Sequence, residues 1–219
     1  MSRKRRYQLL CRIARALDVV GDRWALLILR DLHAGPARFR ELEHGLGIAT
    51  NLLTTRLAEL SANGLVTKQS IEGQDHYVLT ETGEATDRIL WELARFGLRL
   101  DPDDDIRRPG NLRTLVLPLR FTLSAVRKRP SLVARLVVDG EIFTIRTTAR
   151  RASVDYGDSL AGEQPDVEVR TDYEALLAVG EGRLEPDAFL RDHIRIEGDA
   201  AAGAAFLEMF AAAFETYDD

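Results

Sequence analysis

The segment Asp101–Asn111, DPDDDIRRPGN, constrains this chain more than any other, because its composition predicts neither a helix nor a strand through it. Five Asp or Pro residues precede Ile106, Pro109-Gly110 follows, and Ile106 alone is apolar, which is the composition of a linker. The 219 residues are thereby divided into 1–100 and 112–219, with 101–111 between them. Each part is long enough to bury a core of its own.

The two parts differ in charge and in hydrophobic period. A formal net charge of −5 conceals 15 Lys and Arg against 12 Asp and Glu in residues 1–100, and 15 against 23 in residues 101–219. Any polyanion partner is therefore expected at the first part. A composition of 45% hydrophobic and 30% charged residues is that of a folded, soluble protein. No apolar run approaches the roughly 18–20 residues of a membrane span. The amino-terminal MSRKRRYQLL lacks the apolar core of a signal peptide. A single cysteine, Cys11, cannot form an internal disulfide, which fits a reducing cytoplasm.

Before the linker the apolar spacing is helical. It predicts helices over Tyr7–Val20, from an Asp22 cap to Leu32 with Trp24, Leu27 and Ile28 inward, over Arg38–His44, and over Thr82–Leu100. Two short alternating runs, Leu65–Ser70 and Asp75–Thr80, joined by IEGQ, predict a hairpin. The stretch ATNLLTTRLAELSANGLV, Ala49–Val66, has a helix's spacing and a stop at Asn63-Gly64. Leu53, Leu57 and Leu60 share one side of it, and Asn51, Thr55, Ala58, Glu59 and Ala62 the other. This order is that of a winged helix-turn-helix, with the Ala49–Val66 stretch as recognition helix.

The first turn of that helix is nearly uncharged, unlike the Glu/Lys mixture of a solvated face. Thr50, Asn51, Thr54 and Thr55 are types that bond base edges or touch a thymine methyl, and are the expected readers of duplex DNA. Arg38, Arg40, Arg56, Lys68, His76 and the terminal Arg3–Arg6 are the expected phosphate contacts.

After the linker the period changes. Leu132–Val138 and Glu141–Thr147, joined by Asp139-Gly140, predict a hairpin with a strong turn signal. Further strands are predicted at Ala152–Tyr156, Val167–Arg170 and His193–Glu197, and helices at Leu115–Lys128, Tyr173–Val179, Pro186–Arg191 and Asp199–Phe214. The whole is an α+β chain, whose second part is one sheet covered by helices. Asp199–Phe214 is apolar on more than one face, so it is buried or lines something. Phe206, Met209 and Phe210 on it are candidates for an adaptable apolar site, with Leu119, Phe121, Phe189, and Phe143 or Ile145 according to register.

Nothing marks an enzyme. His33, His44, His76 and His193 have no metal spacing, Cys11 has no CxxC partner, and no nucleophile elbow or phosphate loop occurs. No metal or cofactor is expected.

The run CRIARALDVVGDRWALLILRDLHAGPARFRELEHGLGIATNLLTTRLAELSANGLV, followed by YVLTETG, resembles the HxlR-type winged helix-turn-helix regulators of bacteria over about residues 9–99. The resemblance implies a homodimer paired through terminal helices, here Tyr7–Val20 and Thr82–Leu100, that represses or activates transcription at a double-stranded operator. Two positions depart from the family pattern. Arg12 stands where Pro usually follows the cysteine, and Ala49-Thr50 stands where Ser-Pro usually opens the recognition helix. Alanine cannot cap, so Thr50 is expected to take the cap. In some such proteins the cysteine senses oxidants, a role Cys11 inherits as a candidate.

The second part, through PDVEVRTDYEALLAVGEGRLEPDAFLRDHIRIEGD and AAGAAFLEMFAAAF, resembles the sterol carrier protein type 2 fold over about residues 115–214. That resemblance implies an apolar small molecule held between sheet and helices. Together the two imply a cytoplasmic, ligand-controlled transcription regulator with no membrane partner. A carrier that uses its winged part mainly to dimerise, and a regulator switched by Cys11, remain as alternatives.

Overall fold

A computed structural model describes residues 7–100 and 111–215. Residues 101–110 of the expected linker and Arg3–Arg6 lie outside the described residues. The chain divides into two compact units, 1–111 and 112–219.

The first unit runs α1 (Arg12–Val20), α2 (Arg23–Leu32), α3 (Phe39–Leu46), α4 (Thr50–Ala62), β1 (Val66–Ile71), β2 (Gln74–Leu79), α5 (Glu81–Glu84) and α6 (Asp87–Gly97). Asp22 opens α2 as read from sequence, its carboxylate accepting the Trp24 amide at 3.0 Å. Ala25, Ile28, Leu29 and Leu32 of α2, with Leu42, Ile48, Leu53, Leu57 and Leu60, make the core. Each such leucine stabilises the fold by about 1.5–3 kcal/mol through burial. Trp24 and Leu27 are half-buried on its margin. The β1–β2 hairpin turns on Glu72 and Gly73, both with positive φ (51° and 76°), the conformation of a two-residue hairpin turn matched to strand twist.

Three expectations need correction here. The first helix begins at Arg12, not Tyr7: Cys11 is extended at the N-cap, Gln8 has φ 53°, and the Tyr7 amide bonds the Asp18 carboxylate at 3.0 Å. The Thr82–Leu100 helix is two helices. Thr80 caps α5 by accepting the Gly83 amide, and Thr86 closes it by donating to the Gly83 carbonyl at 2.7 Å. Gly83 also lies so close to the residue before β1 that an added Cβ would collide with the Leu65 carbonyl. Thr50 is not the cap of α4. Ala49 holds that position, and its carbonyl takes the Leu52 and Leu53 amides at 3.0 and 2.9 Å without any side-chain cap.

The second unit begins with a 3-10 turn, Leu112–Leu115, then α7 (Val116–Ala125), β3 (Leu132–Val138), β4 (Glu141–Thr147), β5 (Ala152–Tyr156), β6 (Val167–Thr171), α8 (Tyr173–Gly180), α9 (Pro186–Asp192), β7 (Arg195–Gly198) and α10 (Ala200–Glu215). The sheet order is β5-β4-β3-β6-β7, with β3 and β6 parallel and the other neighbours antiparallel. The helix expected to reach Lys128 stops at Ala125 because Val126 is extended and Arg129 binds the Ser124 and Val126 carbonyls at 2.7 and 2.5 Å. His193 ends α9 and does not begin a strand. Ala134, Leu136, Val138, Phe143, Ile145, Val154, Val167 and Val169 point to the buried face of the sheet. Against that sheet α10 approaches β7 closely: a Cβ on Gly203 would lie 2.9 Å from the Ile196 side chain.

Candidate functional site

The outer face of α4 is the first candidate. Leu53, Leu57 and Leu60 are fully buried against the core, which leaves Ala49, Thr50, Asn51, Thr54, Thr55 and Ala58 exposed together. The hydroxyls of Thr54 and Thr55 donate back to the Thr50 and Asn51 carbonyls, each at 2.8 Å. Their methyls and free lone pairs are thus turned outward. Asn51 accepts the Leu52 amide at 2.8 Å through Oδ1, which leaves its amide hydrogens to donate. Thr50 bonds Glu43 of α3. The first turn of α4 so offers donors, acceptors and methyls but no fixed charge, beside the positive end of the helix dipole.

The surrounding cations are not equivalent. Arg38 is exposed at the start of α3, where it grips Glu41 at 2.7 Å and Gln74 of the hairpin at 3.0 Å. It thereby ties the wing to the helix before α4, a role for Gln74 that its side chain alone did not announce. Arg40 is exposed. Lys68 lies 3.6 Å from Asp75 and over the Tyr77 ring, both on the exposed wing. His76 is half-buried, its Nδ1 3.0 Å from the Gln74 carbonyl.

Arg56 is a correction to the sequence reading. Its guanidinium is 20% exposed and pairs with Asp22 and Glu59, both at 2.8 Å, so its charge is spent inside the fold. Burial works to lower its pKa but is outweighed by hydrogen bonds to Glu59 and Asp22, which raise it. Arg56 positions α4 against the start of α2. Periodicity placed it on the flank of the helix, and only the fold brings Asp22, 34 positions earlier, to meet it.

In the second unit the structure unites part of the apolar set. Phe206 and Phe210 stack at 5.2 Å, and Phe189 lies 6.3 Å from Phe210. Phe214 meets Phe210 and Phe189 edge-on at 5.2 and 5.6 Å. Phe189, Phe206, Met209 and Phe210 are buried and Phe214 is half-buried, and the rings fill one another's space. Phe143 and Ile145, taken as alternatives from sequence, are two positions apart and share the buried face, opposite Leu136 and Ala134. Phe143 meets Tyr156 edge-on at 5.4 Å, and Leu119 is buried on α7. Phe121 is half-buried, with the Arg120 guanidinium 5.8 Å above its ring.

At the margin of this cluster His193 stacks on Phe189 and lies 3.1 Å from Asp172, which caps α8. Burial pushes the Asp172 carboxyl upward, but the Ala175 amide and His193 outweigh it and hold the pKa below the usual carboxylate value. Cys11, the redox candidate that the resemblance implies, is exposed. Among the described residues no group of His, Cys, Asp and Glu could hold a metal ion, and no helix is long and apolar enough to cross a membrane.

Residues 19–104 match the HxlR-like helix-turn-helix family, and residues 120–211 match the SCP-2 sterol transfer family. An uncharacterized HTH-type transcriptional regulator of Mycobacterium tuberculosis is 37% identical over 100 residues, 44% of this chain and 60% of that protein. The chain thus spans less than two thirds of that relative's length. The HTH-type regulator YvaP of Bacillus subtilis is 33% identical over 42% of this chain and 89% of its own length. For YodB of the same species the figures are 34%, 36% and 73%. The reduced form of YodB superposes with a TM-score of 0.37 over 47% of this chain and all of that one, at 30% identity. The chain belongs to the HxlR-like helix-turn-helix family and carries, behind that unit, a domain that matches the SCP-2 sterol transfer family.

Proposed function

We propose that this protein is a cytoplasmic, homodimeric transcription regulator whose second unit binds an apolar small molecule. The observation that carries the reading is the outer face of α4: six exposed, uncharged side chains at a helix N-terminus, held by a buried leucine row and flanked by an exposed wing. A solubility face has no use for such chemistry, whereas base edges do. Duplex DNA is bound with Thr50, Asn51, Thr54 and Thr55 toward the major groove, and Arg38, Arg40, Lys68 and His76 toward the backbone.

Two copies are supported by the apolar side chains left outside. Leu10, Ile13 and Leu17 at α1, and Ile89, Leu93 and Phe96 on α6, are exposed in the single chain, although both helices pack on α2. Pairing of these faces sets two α4 helices on half-sites about one helical turn apart. Leu119, Phe121, Phe143, Ile145, Phe189, Phe206, Met209 and Phe210 are the residues an apolar ligand would displace or line. A ligand that prefers the second unit of one dimer form shifts the population of the DNA-competent form.

The test is binding of the purified chain to fragments from upstream of its own gene at about 50 mM salt, where phosphate contacts are strong. Retention of one fragment in excess unrelated DNA is expected. Failure to retain any would sink the reading. The mass of a co-purifying molecule identifies the ligand class. A redox-switched regulator is the second reading, favoured by the exposure of Cys11. Cys11→Ser, which would abolish an oxidant response, separates the two.

A further inference from the structure

The second unit is acidic as a whole, with 13 Lys and Arg against 19 Asp and Glu in residues 112–219, yet its charges are not spread evenly. Leu112–Val138 holds six cations and no acidic residue, and Ile142–Val154 holds three more and again no acidic residue. The fold brings the ends of these two stretches together. Arg129, in the loop from α7 to β3, reaches the Thr148 and Ala149 carbonyls in the β4–β5 turn at 3.3 Å each, and Thr147 donates to the Pro130 carbonyl at 2.8 Å. Arg127, Lys128, Arg150 and Arg151 therefore share one end of the sheet, and all four are exposed.

Cations following a helix usually serve its last carbonyls. Arg129 already does this for α7, and the other four have no such task. Elsewhere on the sheet, Arg135 is paired with Asp158 and Glu168, Arg146 with Asp155, and Arg170 with Glu168. Among the described residues no carboxylate pairs with Arg127, Lys128, Arg150 or Arg151. The carboxylates at the same end of the sheet, Asp166 and Asp199, lie beyond β3, beside β6 and β7. They are bound to the backbone amides of Val133 at 2.7 Å and Ala202 at 2.8 Å. The β4–β5 turn is itself fixed, since Thr148 takes the Arg151 carbonyl through its amide at 2.8 Å and the Arg150 and Arg151 amides through its hydroxyl.

We propose that Arg127, Lys128, Arg150 and Arg151 form a second phosphate-binding surface, one that grips duplex DNA flanking the site read by α4. The proposal rests on the regulator reading above. Three of the four are arginines, whose guanidinium suits bidentate binding of phosphate. A lipid surface fits less well. The loops RKRPS and TARR contain no large apolar or aromatic side chain to enter a bilayer, and Leu177, the one large hydrophobic exposed among the described residues of this unit, is on α8.

The experiment compares the full chain with its R127Q/K128Q/R150Q/R151Q variant on two duplexes, one covering only the half-sites and one extended by about 15 base pairs on each side, which is about one and a half helical turns. On the long duplex the variant is expected to bind roughly tenfold more weakly or worse at low salt. Its plot of log K against log salt should be shallower by about 3.6 for each engaged copy, four cations at roughly 0.9 per neutralised phosphate, and so by about 7 for the dimer. On the short duplex variant and parent should coincide, as should their thermal melting. Equal binding and equal salt slopes on the long duplex would overturn the proposal. So would a variant that keeps DNA but loses binding to phosphatidylglycerol vesicles. A parent chain that retains neither duplex would overturn the regulator reading itself, and this surface with it.

Discussion

Two helices, α4 and α10, use apolar residues in opposite ways. In α4 a single row, Leu53, Leu57 and Leu60, is fully buried, and everything on the far side is small, polar and exposed. In α10 the buried set Phe206, Met209, Phe210 and Ala213 comes with half-buried alanines and Leu207 around it. Little of α10's surface is left for display. The first helix separates holding from showing, so residues on its outer face can change without loss of fold. The second has fused the two: the residues that the proposed ligand would touch there are also those that keep the unit folded. If the proposed function holds, a protein built this way changes its DNA-reading face easily and its ligand-contacting residues only at a cost in stability.

The largest effect expected from that contrast is on Phe210. Phe210→Ala removes a ring that touches Phe189, Phe206 and Phe214 and should destabilise the second unit by about 3–5 kcal/mol. Chemical denaturation should show the loss, while specific DNA binding by the first unit survives. Equal losses in both units would break the comparison. Asn51→Ala and Thr55→Ala should each weaken specific DNA binding by about 1–3 kcal/mol, read by competition against unrelated duplex. Denaturation midpoints should stay within about 0.5 kcal/mol of the parent, as for surface changes away from packed features.

Arg56→Met sharpens the comparison from the packed side of α4. It leaves Asp22 and Glu59 without their cation and should cost about 1 kcal/mol, discounted for partial exposure. Specific DNA binding should then fall while non-specific binding stays near the parent's, because the base-reading face shifts and no phosphate contact is removed.

The smallest effect concerns Asp172. Its carboxyl is held below the usual value in the folded chain, so its stabilisation is complete above the unfolded value near 3.9 and is lost as pH falls through the folded pKa. Asp172→Asn keeps an acceptor at the cap, so the melting temperature should fall less steeply with pH below about 4 than in the parent. Coincident curves would show that His193 and the cap contribute nothing through charge.

The fold class was legible because its signals are local: the leucine spacing in α4, Asn63-Gly64 at its end, and Asp139-Gly140 between β3 and β4, where both residues have positive φ. What escaped the sequence was decided across distance. A continuous apolar pattern from Ile89 to Leu100 reads as one long helix, but Thr80 and Thr86 cap and close a separate short helix around Gly83, a break that periodicity cannot register. Arg56 looks like any flank cation until Asp22 arrives beside it. The outer face of α4 was readable for the same reason, since exposure leaves residue type as the one variable. The apolar set of the second unit was readable only as a group, because any Phe of a packed cluster has the same sequence signature.

The exposed apolar edge at α1 and α6 carries a last consequence. If half-site recognition needs two copies, operator occupancy at low expression rises with the square of protein concentration, so promoter strength sets a threshold in place of a proportional response. Substituting Ile13 and Phe96 by polar residues would then act genetically like a reduced gene dose, and raising expression would restore part of the phenotype although every base-reading side chain is intact.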